Sequence, residues 1–206
     1  MKPSFWKQAW KENKTGFHRD APHPDLRSRA VEFPAGGTVL IPLCGVTHDL
    51  RWLAEQGFQA IGVEVVPQAV QRLVEREGLV ALGEDQWGDG RITVLQADFF
   101  DVVLDRPVDV VWDRAALVAL HPSQREAYVA KQRALLGSGR LLLNTLSYAQ
   151  ERRDGPPWSV DRATVEALWP ELSVVREEDV TPSEAWRDVG IESVRHHLFE
   201  GDVQAR

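Results

Sequence analysis

The segment Thr38-Val39-Leu40-Ile41-Pro42-Leu43-Cys44-Gly45, followed by a helical stretch and then Ala60-Ile61-Gly62-Val63-Glu64, most constrains how this chain can fold. It reads as strand, glycine turn, helix and a second strand ending in an acid, the order of a parallel βαβ unit. In such a unit the first turn brings backbone close to a ligand. An acid closing the next strand can accept hydrogen bonds from both hydroxyls of a ribose. An adenosine-type cofactor is the first expectation; the plain alternative is an ordinary turn at Gly45 and a solvated acid at Glu64.

The turn holds one glycine where a dinucleotide fingerprint has three, and Pro42 stands where the strand closes. A pyrophosphate needs consecutive backbone N–H groups at an open helix N-terminus, which repeated glycines supply. S-adenosylmethionine carries no phosphate and makes no such demand. A nicotinamide oxidoreductase is therefore the weakest of the adenosine-based readings.

With 206 residues, 43% of them hydrophobic, the chain can bury one sizeable core. One domain over 1–206 is expected, with an amino-terminal segment 1–33 and an α/β core over 36–206. The formal charge of −7 and the absence of a basic stripe argue against nucleic acid as a partner. The single cysteine, Cys44, excludes an internal disulfide and reads as a small core residue, and six scattered histidines offer no spaced metal cluster. No metal is expected. No apolar run approaches the roughly 20 residues of a membrane span, and no apolar leader follows Met1-Lys2-Pro3. The expectation is a soluble cytoplasmic protein with no membrane partner.

Short β-branched runs alternate with helical periods, the signature of a mostly parallel sheet covered on both faces. Beyond the first two strands, runs at 92–96, 108–112, 141–146, 172–176 and 193–199 make seven, with helices at 47–56, 68–77, 123–136 and 161–168. Pro67 and Gly78 bracket the second helix, whose buried stripe is Val70, Leu73 and Val74. No helix pattern separates the last two strands, so they should pair as an antiparallel carboxy-terminal edge. The fold class is a doubly wound, Rossmann-like α/β domain. Turn-rich stretches at 83–90 and 150–157 read as loops, the second a candidate site wall.

Ligands of such sheets sit beyond the carboxyl ends of the strands. The residues there are Leu43, Cys44 and Gly45, then Glu64, then Asp98 and Phe99, then Asp113 and Arg114. Glu64 would take ribose hydroxyls, Asp98 an adenine amino group, Phe99 the adenine face, and Arg114 a carboxylate or developing thiolate. Taken singly, Asp98 or Arg114 is more often a cap or a surface ion pair. Near the amino terminus, Trp6 and Trp10 stand at i, i+4 spacing and share one helix face. That helix reads equally as a lid over the cofactor or as a staple onto the domain. His196 and His197, adjacent on a strand, point to opposite faces and read as structural. Asp49, His18 and His48 lie in candidate loops, and no general base is assigned.

Together, Trp6-x-x-x-Trp10-x-x-x-Lys14-x-Gly16-Phe17-His18, Pro42-Leu43-Cys44-Gly45, Gly62-Val63-Glu64, Asp98-Phe99-Phe100, Trp112-Asp113-Arg114-Ala115-Ala116-Leu117 and Gly155-Pro156-Pro157 resemble the thiopurine S-methyltransferase family. The resemblance runs from Phe5 to about Trp169. It implies a class I methyltransferase fold and transfer of a methyl group from S-adenosylmethionine to a small thiol by direct in-line displacement, leaving S-adenosylhomocysteine. It matches Trp10, Leu43, Glu64, Asp98, Phe99 and Arg114 to cofactor contacts, and Trp6 and Phe17 to the lid. On the acceptor side it points to Phe17, Arg114, Pro156 and, for a second arginine, Arg187. The chain departs from the family where Val46 replaces a usual lysine and Trp158 a usual phenylalanine. These departures bear on the acceptor, so halide, thiocyanate, selenium or tellurium species stay open. So does a module that binds the cofactor without turnover. A monomer or weak oligomer is expected.

Overall fold

In the computed structural model, which describes residues 3–12, 14 and 18–205, the chain divides into two units between Trp112 and Asp113. The amino-terminal unit contains helices α1 (Pro3–Lys11) and α2 (Pro24–Arg29), strand β1 (Thr38–Ile41), α3 (Asp49–Glu55), β2 (Gln59–Glu64), α4 (Pro67–Glu77), β3 (Val80–Gly83), β4 (Gln86–Gly88) and β5 (Ile92–Gln96). Strand β6 (Val110–Arg114) begins in this unit and ends in the next. The strand order is β3-β4-β5-β2-β1-β6. β5, β2, β1 and the start of β6 run parallel, whereas β3 and β4 fold back antiparallel onto β5.

Val39, Leu40 and Ile41 of β1 are all buried, as expected of a parallel strand covered on both faces. From β1 the chain passes to β2 on one side, and later returns to β6 on the other. That reversal is the switch point at which open α/β sheets bind ligands. Gly62 in β2 is required by packing: a Cβ there would lie 2.8 Å from both Cys44 Sγ and Leu50 Cδ1. Its bare backbone lets the turn after β1 settle against β2. Pro67 opens α4 and Gly78 closes it, and the buried stripe is Ala69, Val70 and Leu73, with Val74 half-buried.

The carboxy-terminal unit contains α5 (Arg125–Leu136), β7 (Gly139–Ser147), α6 (Arg162–Leu168), β8 (Ser173–Val180), α7 (Glu184–Arg187) and β9 (Val194–Val203). β9 lies between β7 and β8 and is antiparallel to both, the edge expected from sequence.

Among the described residues nine strands are present rather than seven. The two additional ones, β3 and β4, overlap the stretch read as a loop. β3 is exposed along its whole length, so backbone pairing alone makes it a strand, and no burial pattern records it. β6 lies two residues later than expected, which places Asp113 and Arg114 inside the strand rather than after it. One helical turn, α7, interrupts the connection between the last two strands.

Candidate active site

Two backbone outliers mark the carboxyl ends of β1 and β6. Leu43 has φ 49° and Ala115 has φ 64°. Non-glycine residues in the left-handed region cost roughly 1–3 kcal/mol and persist where surrounding structure over-determines them, often at ligand sites. Gly45 has φ 54°, and a Cβ there would stand 2.5 Å from His18 Cε1. The turn Pro42–Gly45 is thus tightly coiled with an imidazole pressed against it.

Glu64 closes this turn. One carboxylate oxygen accepts from Gly45 N at 3.0 Å and the other from Val66 N at 2.8 Å, and the residue is only 7% exposed. Burial pushes its pKa up, opposed by those backbone N–H bonds. A carboxylate offers about four lone-pair sites, more than these backbone groups occupy. Cys44, buried beside it, is an inert thiol: desolvation first, and the neighbouring Glu64 charge second, push its pKa well above the ordinary value.

Trp10 is almost fully buried in a cluster with Val66 and Ala69, against which Trp6, Val46 and Val65 pack. Its ring lies 4.9 Å from that of His18, and the Arg72 guanidinium stands 5.7 Å from it. The i, i+4 aromatic face of α1 is therefore seated on the start of α4, directly after Glu64. Ala97 N donates to Glu64 O at 3.1 Å, which brings the end of β5 to the end of β2. Asp98 follows, half-buried, and its Oδ1 caps a short 3₁₀ turn by accepting from Phe100 N. Phe99 is buried in that turn. The amino-terminal unit thus gathers Trp6, Trp10, Leu43, Glu64, Asp98 and Phe99 around the ends of three adjacent strands. Phe17 lies outside the described residues.

Arg114, half-buried, is the last residue of β6. Its neighbour Asp113 does not share its direction, because successive strand residues face opposite sides of a sheet. Asp113 is fully buried and accepts from Leu117 N (3.1 Å), Tyr128 Oη (2.8 Å) and Gln132 Nε2 (2.8 Å). Burial raises its pKa. It braces the segment after β6 from inside and is removed from the list of ligand-facing groups. Asp49 is likewise structural: its carboxylate accepts from His23 N (2.7 Å) and Trp112 Nε1 (2.8 Å).

The wall at 150–157 is built rather than loose. Tyr148 Oη donates to Pro157 O (2.6 Å), while the Gln150 side chain bonds Tyr148 Oη, Arg153 O and Ser159 N. Pro156 and Pro157 each follow a cis peptide bond. Trp186 packs edge-on against Tyr148 at 4.9 Å, and the Arg153 guanidinium lies 5.0 Å from the Trp186 ring. Arg187 is exposed and donates to Pro182 O. Sequence reasoning missed Arg153, whose place is evident only once Trp186 packs beside it. Among the described residues no group of three or more His, Cys, Asp or Glu side chains could hold a metal ion, and no helix is long and apolar enough to cross a membrane.

The sequence profile of the thiopurine S-methyltransferase family matches residues 1–201. This chain belongs to the thiopurine S-methyltransferase family. A thiopurine S-methyltransferase of Xanthomonas campestris pv. campestris is 41% identical over 181 residues, covering 82% of both chains. One from Pseudomonas fluorescens is 35% identical over 206 residues, covering 92% of both. Among solved structures, the 1,6-didemethyltoxoflavin-N1-methyltransferase of Burkholderia thailandensis, with bound 1,6-didemethyltoxoflavin and S-adenosylhomocysteine, superposes with a TM-score of 0.65. It covers 98% of this chain and 87% of that one at 17% identity. That likeness establishes the Rossmann-like methyltransferase fold.

Proposed function

We propose that this family member transfers the methyl group of S-adenosylmethionine to the sulfur of a small aromatic or heterocyclic thiol. The observation that carries the cofactor assignment is the Glu64 carboxylate, locked at the end of β2 by Gly45 and Val66 N–H groups and left with free acceptor capacity. A diol is the ligand chemistry that such a buried, oriented, acceptor-only group recognises.

The residues present fit the cofactor. Glu64 would hold the ribose, and Asp98, whose Oδ1 caps the following turn, would offer Oδ2 to the adenine amino group. Leu43, with Phe99 behind the turn, would line the base. Trp6 and Trp10 would cover the sulfonium side, and Arg114 would meet the acceptor's anionic sulfur. Phe17, Pro156 and Arg187 complete the proposed acceptor set. The bound cofactor supplies a methyl group activated by a positive sulfonium, which a soft nucleophile displaces in line without a covalent enzyme intermediate. The chain's task is then alignment and exclusion of water, and alignment of two bound reactants contributes roughly 7–11 kcal/mol. The protein works in this reading as a cytoplasmic monomer or weak oligomer.

Calorimetric titration with S-adenosylmethionine and S-adenosylhomocysteine, followed by methyl-transfer assays on thiopurine, thiophenol, thiocyanate and selenite, tests the reading. Binding with turnover on an aromatic thiol is expected. Turnover confined to thiocyanate or selenite would replace the acceptor class. Binding without turnover on any of them would favour a sensor, and no binding would end the Glu64 argument.

A further inference from the structure

The turn between β1 and α3 holds two residues in the left-handed region, Leu43 (φ 49°) and Gly45 (φ 54°). For a leucine such backbone persists only where the surrounding structure restrains it. One set of restraints comes from β2: Cys44 N donates to Val63 O (2.9 Å) and Gly45 N to Glu64 Oε2 (3.0 Å). The other comes from α4. Arg76, in the last turn of that helix, donates from Nη1 to Val46 O (2.7 Å) and from Nη2 to Thr47 O (2.5 Å). One planar guanidinium thus spans two consecutive carbonyls, which its rigid fork can do and a compact ammonium cannot.

Arg76 is itself anchored. Its Nε donates to Glu77 Oε1 (2.6 Å), while Arg51 of α3 donates from Nε to Glu77 Oε2 (2.8 Å) and pairs through Nη1 with Asp89 (2.9 Å). Burial raises the pKa of Glu77, but Arg51 and Arg76 outweigh burial and hold it below the ordinary value, so the anchor stays charged. Val46 carries the restraint further. Its carbonyl is held by Arg76, and its side chain packs against the cluster of Trp10, Val66 and Ala69. Arg72, one helical turn before Arg76 on the same face of α4, stands 5.7 Å from the Trp10 ring. All of these groups lie in the amino-terminal unit, with Glu64.

We propose that Arg76 is a positioning residue for the cofactor: by clasping Val46 and Thr47 it holds the Gly45 turn, and the contact of Val46 with the Trp10 cluster, in the binding arrangement before S-adenosylmethionine arrives. This rests on the cofactor reading of Glu64. The clasp keeps Gly45 N–H on one Glu64 oxygen, so the carboxylate presents its remaining lone pairs in a fixed direction. Val46 transmits the same restraint to the aromatic face of α1. Arg76 acts through the turn, so its loss weakens cofactor binding. Without the clasp the turn samples other arrangements, and a binding-competent fraction of about one tenth raises the apparent Kd about tenfold.

The test compares wild type, Arg76→Ala, Arg76→Lys and Arg51→Ala by calorimetric titration with S-adenosylmethionine and S-adenosylhomocysteine, with Tm measured on each protein. Arg76→Ala should raise both Kd values about tenfold per folded molecule. Arg51→Ala removes the other guanidinium from Glu77, so it should lower Tm yet leave both Kd values within about twofold of wild type. Arg76→Lys keeps a charge beside Glu77 without the fork; its Tm should return toward wild type while its Kd values stay raised about threefold or more. Kd values in Arg76→Ala equal to those of wild type would overturn the clasp. A rise of the same size in Arg51→Ala would overturn it too, because loosening of the whole unit would then explain the loss. Wild-type protein that binds neither ligand would reject the Glu64 reading, and the clasp with it. Should Arg76→Ala fail to fold, Arg76→Lys carries the comparison with Arg51→Ala.

Discussion

Replacing Glu64 by glutamine separates the two tasks assigned to this carboxylate. In the structure it accepts Gly45 N–H at 3.0 Å and Val66 N–H at 2.8 Å. The amide oxygen can keep one of these bonds, but the NH₂ group turns a donor toward the other. One buried N–H then loses its acceptor, at about 1–3 kcal/mol. Burial also raises the pKa of Glu64, so the neutral amide removes part of a desolvation cost that the charge carried. The net loss should stay below about 2 kcal/mol, or about 8 °C in Tm for a chain of this length. Ligand binding has no such offset, because ribose hydroxyls exchange a charged acceptor for an amide. Affinity for S-adenosylmethionine should fall about 10- to 100-fold, or roughly 1.4–2.8 kcal/mol.

The pH dependence has a definite sign. The hydroxyls bond the ionised carboxylate, whose folded-state pKa lies above the ordinary value. Wild-type affinity should therefore rise as pH climbs through that raised pKa and then level off, a rise absent from the glutamine variant. Folding stability moves oppositely, since the folded state holds this proton more tightly than the unfolded chain. The group's contribution is full below the ordinary carboxylate pKa and is lost as pH rises through the folded one. Titration calorimetry at several pH values, with urea unfolding of both proteins, measures all three quantities. An affinity unchanged within twofold, or the same pH profile in both proteins, would refute the assignment.

Trp10→Ala should cost about 3–5 kcal/mol in urea unfolding, because the ring is buried against Val66 and Ala69; a loss below 1 kcal/mol would show that α1 is not seated on α4 in solution. Asp113→Ala should cost about 2–5 kcal/mol by leaving Tyr128, Gln132 and Leu117 donors short of an acceptor. Calorimetric affinity per folded molecule should stay at the wild-type value, and a selective loss of binding would return Asp113 to the site. Gly45→Ala should lower Tm and weaken S-adenosylmethionine binding together, since its φ of 54° and the His18 ring both oppose a Cβ. Arg114→Ala should cut turnover more than tenfold with Tm nearly unchanged, as for a residue stabilising charge at the reacting sulfur; a large Tm drop with normal turnover would make it structural.

Sequence by itself determined the features that depend on local backbone chemistry and burial period. The βαβ unit, the acid ending its second strand, the proline-to-glycine span of α4 and the antiparallel edge all follow from which residues tolerate which φ and which faces must leave water. The motif residues around Glu64 were legible for the same reason, since each stands one or two positions beyond an apolar run. Tertiary structure decided what depends on partners distant in the chain. Only packing shows that Asp113 turns to Tyr128 and Gln132, because alternation puts Asp113 and Arg114 on opposite faces of β6 but partners distant in the chain decide which face is which. The exposed strand β3 exists through backbone pairing that leaves no hydrophobic trace. Arg153 meets Trp186 thirty-three residues later, and Arg76 meets the carbonyl of Val46 across thirty residues of chain. Sequence specifies such contacts only through the whole fold, because a hydrogen bond depends on ångström-scale distance and no local pattern encodes it.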